Sequence, residues 1–469
     1  MNDAIFCLAD VAAAAAGELR QGEKLLPLQG VSTDSRAIRQ GNLFVALRGE
    51  NFDGHAFVRK AAEAGASAAV VERSFLPDQA LPEGFGVVAV DDPLAALGAL
   101  ARSHRRRFPT LKVGAITGSN GKTTTKELAA AALSRAFGDT LKTEGNLNNE
   151  IGLPLTLLRL QASHRAAAVE MGMNHEGEIG RLTAIAEPSA GLVTCAQPVH
   201  LEGLGSVEAV ARAKGELYRG LPAGAVAVSN LDDPLTSEEA RRSGRPLVTY
   251  GAKEGADVRL LRIVSHDLRG LAFEVSIRGG EAAFVRLPLV GLHNAENACA
   301  ALGLGLALGG EPSLLLEGLL EAKGFSRRLE LKPGPNGSTV LDDCYNGNPS
   351  SALAALRTAR ELAGSGRVIA VLGDMRELGG EEESGHRLVG EAAAEAKVAA
   401  LVAFGPLSRT LGAAAKEKGV PDVLRTESPE EALHWLRESI RPGDLVLFKA
   451  SRGTRLERIV DPLVMGENR

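Results

Sequence analysis

The sequence predicts an α/β protein in three domains: a small N-terminal α/β unit over 1–90, a central P-loop-type domain over 91–323, and a C-terminal Rossmann-like doubly wound domain over 324–469. Three observations carry this expectation. A chain of 469 residues exceeds one typical core and suggests about three. An apolar run ending at Ile116 passes through TGSNGKTTTK, Thr117 to Lys126, into an alanine-rich helical pattern, the strand, turn and helix of a phosphate-binding unit. Beyond residue 324, apolar runs alternate with helical patterns, as in a parallel sheet with crossover helices.

Composition narrows the function classes. The chain is 45% hydrophobic and 24% charged with a net charge of -5, so it has no general attraction for nucleic acid or an anionic membrane. Cys7, Cys195, Cys299 and Cys344 lie far apart, without the paired spacing of a zinc site or a disulfide framework, which suits a reducing cytoplasm. The start has no basic leader, and no long apolar window follows; a cytoplasmic protein without membrane insertion is expected.

Within 1–90, apolar runs at Leu43 to Leu47 and Ala68 to Val71 read as strands and His55 to Ala64 as a helix. Ser35, Arg36 and Arg48 could hold a diphosphate, although Asp-Ser-Arg alone more often marks a capped turn. The basic run SHRRRF, Ser103 to Phe108, reads as a solvated linker or helix end.

The cradle comes next. Gly118 and Gly121 permit a tight turn whose N–H groups, with those of Ser119, Asn120 and the helix start, face an anion. Lys122 would reach the outer phosphates of a nucleotide, and the hydroxyl of Thr123, followed by Thr124, would meet a magnesium ion. The spacing departs from the common P-loop, which wants a glycine where Ile116 stands. Asn146, Asn148 and Asn149 crowd amides into TEGNLNNEIG, suiting a polar ligand or a turn equally. Glu170 ends the apolar run AAAVE, where an α/β sheet presents functional groups, and is a metal-ligand candidate. His200 follows another such run, open to a structural or a ligand role. Lys214 lies mid-helix and by pattern alone is a solvated lysine. After strands near 257–264, 271–278 and 284–290, Asn294 and Asn297 share one helix face, placed for a heterocycle edge, although Asn294 also suits a cap.

In the last domain, strands are expected at 339–341, 367–372, 398–404 and 443–448, with helices near 350–363, 381–396, 406–418 and 428–439. No G-x-G-x-x-G opens the first of these helices, so NAD is not expected.

Taken in order, these motifs resemble the Mur ligase family over nearly the whole chain, and within it the type that adds D-alanyl-D-alanine. G-T/S-N-G-K-T-T is met by Gly118 to Thr124, which accounts for the spacing. E-M-G is met at Glu170, the loop histidine at His200, A-K-G-E at Lys214, and G-x-H-N-x-x-N by Gly291, His293, Asn294 and Asn297. D-D-x-Y-N-A/G-N-P is met from Asp342 to Pro349 and G-D-M-x-E-L-G from Gly373, while Asp-Asn-Pro-Arg of the diaminopimelate-adding sister is absent. The resemblance implies a cytoplasmic ATP-dependent ligase acting on UDP-N-acetylmuramoyl-tripeptide and D-alanyl-D-alanine, as a monomer. The UDP end would meet the first domain and ATP the second, with the third closing over both. It also implies that Lys214 is carbamylated and binds a second Mg2+ with Glu170 and His200, that Arg328 closes over the ATP phosphates, and that Asp342 or Asp343 takes the ribose. Tyr345, Asn348 and Arg452, with Asn146 and Asn149, are the implied substrate contacts; Ala450 stands where K-G-S-R has glycine. The rivals are a sister Mur ligase, a folylpolyglutamate synthetase, and a P-loop switch or motor ATPase. Asn230-Leu231-Asp232-Asp233 lacks the lysine of a guanine-binding N-K-x-D.

Overall fold

A computed structural model describes residues 5–49, 52–77, 80–198 and 204–465. Three main sheets are formed among them. The first has five strands in the order Glu18–Gln21, Gly86–Val90, Ala68–Glu72, Asn42–Val45 and Gly30–Ser32, parallel except for the first. Alanine and valine dominate its central strands, which are buried on both faces.

The central sheet has nine strands. Thr140–Lys142, Ala166–Glu170, Lys112–Thr117, Ala190–Val193, Val226–Asn230, Leu247–Gly251 and Val258–Asp267 run parallel, and Gly270–Ile277 and Ala283–Leu287 extend it antiparallel. Alternation along Lys112–Thr117 divides its core: Val113 and Ala115 pack with the helices Pro93–Arg106 and Glu178–Ala186, while Ile116 packs with Lys122–Phe137 and His293–Ala307. The first of these cores continues into the N-terminal unit through Leu8, Leu43 and Val70.

The helix Pro93–Arg106 begins where Asp92 accepts from the N–H groups of Leu94 and Ala95, with Pro93 in the first turn. It ends in the basic run, which is not solvated throughout. Arg105 is only 7% exposed and donates to the carbonyl oxygens of Ala186, Phe108 and Glu187, satisfying the C-terminus of Glu178–Ala186. Arg102 and Arg106 pair with Glu187. A helix end was expected, but a buried guanidinium was not, because two of the carbonyls it satisfies, those of Ala186 and Glu187, lie 81 and 82 positions away in sequence.

The C-terminal sheet runs Glu330–Pro333, Thr339–Asp343, Leu445–Lys449, Val368–Gly373, Val398–Phe404 and Asp422–Thr426, parallel except for its first edge strand. The helices Pro349–Ala363, Glu382–Glu395, Ser408–Glu417 and Pro429–Ser439 fall where the sequence pattern places them. The two edge strands Glu330–Pro333 and Asp422–Thr426 were not anticipated; ELKP and DVLRT are short, half-exposed and lack a continuous apolar run.

Candidate active site

The cradle hangs between the strand Lys112–Thr117 and the helix Lys122–Phe137. Gly118 (φ +146°) and Gly121 (φ +81°) adopt backbone conformations that L side chains rarely enter. Close approach reinforces this: a Cβ on Gly118 would overlap the hydroxyl of Thr194, and one on Gly121 the side-chain oxygen of Asn297. Lys122 folds back so that its Nζ donates to the carbonyl oxygens of Gly118 (2.7 Å) and Ser119 (3.1 Å). Burial pushes its amine below the usual lysine range, against the opposing pull of Glu170. Ser119 accepts from the N–H of Gln197 (2.9 Å), and Asn120 donates to the side-chain oxygen of Gln197 (2.5 Å). Thr124 is buried in the first turn of the helix.

Thr123 is where the domains meet. Its hydroxyl donates to Oε2 of Glu170 (2.7 Å) and accepts from Nη2 of Arg328 (2.7 Å), a residue 205 positions away. Glu170 closes the strand Ala166–Glu170 and is 3% exposed; its Oε1 accepts from Nδ2 of Asn148 (2.8 Å). The guanidinium of Arg328 lies 4.3 Å over the ring of Tyr345, a cation–π contact that fixes its plane. Thr123 and Glu170 offer hard oxygen donors of the kind that would suit Mg2+. Among the described residues no group of three or more His, Cys, Asp or Glu side chains forms a metal cluster.

Lys214 ends the helix Val207–Lys214 and is 2% exposed, which overturns its reading as a solvated lysine. Burial, then the charge of Lys122, brings its amine down to about 7, so much of it is unprotonated and nucleophilic near neutral pH. Its pattern misled because the helix is buried on the side that a lone amphipathic count takes as polar. His200 lies outside the described residues.

Asn294 and Asn297 are both buried near the start of His293–Ala307. Asn294 does not cap the helix; its Nδ2 donates to Val290 O (2.7 Å), and its side-chain oxygen accepts from Asn297 (2.9 Å). Asn297 in turn accepts from Thr125. Asp342 and Asp343, successive in one strand, face opposite ways. Asp342 is fully buried and paired with Lys332 (2.6 Å) and Arg327 (3.5 Å). Asp343 pairs with Lys449 (2.6 Å); burial raises its carboxyl, while Lys449 and Arg328 pull it back. Asp342 is thus enclosed in an ion-pair network, whereas Asp343 lies near the cradle's partner Arg328.

The expected substrate residues divide. Tyr345 lies under Arg328, and Asn348 donates to Asn120 (3.0 Å) while capping the helix Pro349–Ala363 through Ser351 N. Asn149 is a local cap, accepting from Ile151 N and Gly152 N, and Asn146 is exposed. Asn148, between them, is the amide that reaches Glu170, and sequence alone gave no reason to choose it. Arg452 is exposed and pairs with Glu457. In the first domain Ser35 sits half-buried in a turn; Arg36 folds onto Asp34 (2.8 Å), and Arg48 onto Asp53 (3.0 Å) and Glu72 (3.3 Å). The capped-turn alternative for Asp-Ser-Arg holds, since Asp34 accepts from Arg36 N (2.9 Å). These three residues do not meet the Thr123 cluster through any described hydrogen bond or ion pair.

Three family descriptions match in order along the chain: the Mur ligase family catalytic domain at residues 27–105, the Mur ligase middle domain at 116–305, and the Mur ligase glutamate ligase domain at 327–452. The chain is 38% identical over 438 residues to the UDP-N-acetylmuramoyl-tripeptide--D-alanyl-D-alanine ligase of Bacillus subtilis, covering 93% of each. It is 37% identical to the enzyme of that name from Escherichia coli, covering 95% of this chain and 96% of that one. A crystal structure of MurF from Acinetobacter baumannii superposes with a TM-score of 0.88 at 33% identity, over 98% of this chain and 99% of that one. MurF from Thermotoga maritima in complex with ADP matches with a TM-score of 0.80 at 28% identity, over 93% and 97%.

Proposed function

The chain belongs to the Mur ligase family, and from that premise we propose how its site works. It is an ATP-dependent ligase that joins D-alanyl-D-alanine to UDP-N-acetylmuramoyl-tripeptide, a step of peptidoglycan precursor synthesis. The observation that carries this reading is the meeting at Thr123 of the phosphate cradle, the Glu170 carboxylate and the Arg328 guanidinium from the C-terminal domain.

A carboxylate resists attack by an amine, so the tripeptide carboxylate first attacks the γ-phosphorus of ATP, giving an acyl phosphate and ADP. The amine of D-alanyl-D-alanine then attacks the acyl carbon and expels phosphate. Lys122, freed from the Gly118 and Ser119 carbonyls by an arriving phosphate, and Arg328 offset the charge that shifts between oxygens. Mg2+, when bound through Thr123 and Glu170, supplies further charge neutralisation at the phosphates. Lys214, buried and with its amine near 7, has the nucleophilic form that carbon dioxide modifies; the carbamate would turn a buried cation into an oxygen ligand. Asn294 and Asn297 face the adenine, Asp343 the ribose, and the first domain, with Ser35, Arg36 and Arg48, the UDP end. We read the division at about 90 and 324 as separating these three tasks. We read the protein as a cytoplasmic monomer, as the family resemblance implies. No helix among the described residues is long and apolar enough to cross a membrane.

The test is a mass-spectrometric product from UDP-N-acetylmuramoyl-tripeptide, D-alanyl-D-alanine and ATP. ADP release that depends on D-alanyl-D-alanine is expected; equal release without it would overturn the assignment.

A further inference from the structure

Glu170 has two carboxylate oxygens, and the fold treats them differently. Oε2 faces the cradle and accepts from Thr123. Oε1 is held by Nδ2 of Asn148 at 2.8 Å. Asn148 is itself fixed from behind: its backbone carbonyl oxygen accepts from Gly172 N (2.8 Å). A Cβ on Gly172 would stand 3.0 Å from Oδ1 and 3.1 Å from Nδ2 of Asn148, tighter than most such contacts. The glycine of Glu170-Met171-Gly172 is thus the surface on which the asparagine rests. The backbone of Glu170 is pinned as well, its N–H donating to Thr143 Oγ1 (2.9 Å).

We propose that Asn148 is a positioning residue that keeps Glu170 in a one-oxygen presentation and so sets the preference of the nucleotide site for Mg2+ over Ca2+. The proposal rests on the reading of Glu170 as a metal ligand. Its physical basis is the difference between the two ions. Mg2+ is small, demands octahedral geometry and takes carboxylates one oxygen at a time alongside phosphate and water, whereas Ca2+ accepts six to eight oxygens and readily takes a carboxylate through both. With Oε1 held by the Asn148 amide, Oε2 is the oxygen turned toward the cradle and Thr123. Removing the donor frees Oε1 and lets the carboxylate turn both oxygens to one cation. Asn148 touches neither ion nor substrate; it acts through Glu170.

The test is cation titration of the protein's complex with a fluorescent ADP analogue, Mg2+ and Ca2+ separately, with binding read by fluorescence rather than turnover. Asn148→Leu and Asn148→Ala remove the donor without adding charge, and Gly172→Ala displaces the amide without altering it. The expected result is a Mg2+ to Ca2+ affinity ratio lowered by about fivefold or more in all three, with nucleotide affinity in EDTA within about twofold of wild type. An unchanged ratio in the Asn148 variants overturns the proposal. So does an equal loss for both cations together with lost nucleotide binding in EDTA, which marks a merely structural role. Glu170→Gln separates the layers: if it leaves Mg2+ binding at the wild-type value, the metal reading of Glu170 fails and this proposal fails with it. If it weakens Mg2+ while the ratio in the Asn148 variants stays put, only the proposal fails.

Discussion

Nδ2 of Asn348 donates to Oδ1 of Asn120 at 3.0 Å, joining the N-cap of a C-terminal-domain helix to the tip of the phosphate cradle. Asn120 passes the contact on to Gln197 at 2.5 Å, so three amides link two domains through the turn that holds the phosphates. One side chain therefore has two separable tasks. Asn348→Asp keeps the cap acceptor and loses the donor to Asn120; it should unfold at the wild-type urea midpoint yet ligate about tenfold more slowly. Asn348→Ala loses both, and its stability should fall by about 1 kcal/mol as well. Equal ligation rates in Asn348→Asp and wild type would show that the cross-domain bond is idle.

Lys122 is predicted to act on charge in transfer rather than on folding. Lys122→Ala should lower ligation by about 10² to 10³ while its circular dichroism spectrum and thermal midpoint stay close to wild type. A variant that unfolds would show that the Gly118 and Ser119 carbonyl bonds matter to the fold itself.

For Lys214 the sign is set by a folded-state amine near 7 against an ordinary value of 10.5. A depressed amine means that the unfolded chain binds a proton which the folded chain lacks between these values, so stability rises with pH across that window. Below about 7 the full cost of burying the cation remains. The unmodified chain should therefore gain on Lys214→Met in urea midpoint as pH goes from 7 to 9. Ligation should be lost in Lys214→Met and in Lys214→Ala, with no rescue by bicarbonate; activity in either variant would refute the proposed metal role.

Gly118→Ala combines a forbidden φ with a clash against Thr194. A loss of stability of about 2 kcal/mol or more is expected, read from urea unfolding monitored by circular dichroism. Gly145 also has positive φ, +54°, but meets nothing within 4 Å, so Gly145→Ala should cost clearly less.

Arg328 lies over the ring of Tyr345 and donates to the Thr123 hydroxyl. Tyr345→Phe keeps the face and should ligate at close to the wild-type rate, whereas Tyr345→Leu should lose about 1 kcal/mol of positioning, several-fold in kcat. Arg328→Lys lacks the planar fork and should lose more, about 10² in kcat. If Tyr345→Phe were as slow as Tyr345→Leu, the phenol hydroxyl, not the stack, would be the operative group.

Much of the fold was legible because its signals are local. Buried parallel strands announce themselves as short alanine and valine runs, and Gly118 to Thr124 fixes a turn whose φ values only glycine supplies easily. The edge strands Glu330–Pro333 and Asp422–Thr426 escaped because edges are half-exposed and carry no such run. The buried states of Lys214 and Arg105 escaped because their cover comes from distant segments.

By itself the sequence determined the cradle, the strand-end position of Glu170 and the order of three α/β units, since each depends on neighbours within a few residues. Only the tertiary structure decided which of several equivalent residues comes close to Glu170, Thr123 and Arg328. Asp342 and Asp343 are separated by the alternation of a strand whose facing is set by what packs on each side. Asn148 is distinguished from Asn146 and Asn149 by a turn against Gly172, and Arg328 reaches Thr123 across 205 positions. Side-chain direction and non-local approach are properties of packing, and no local spacing encodes them.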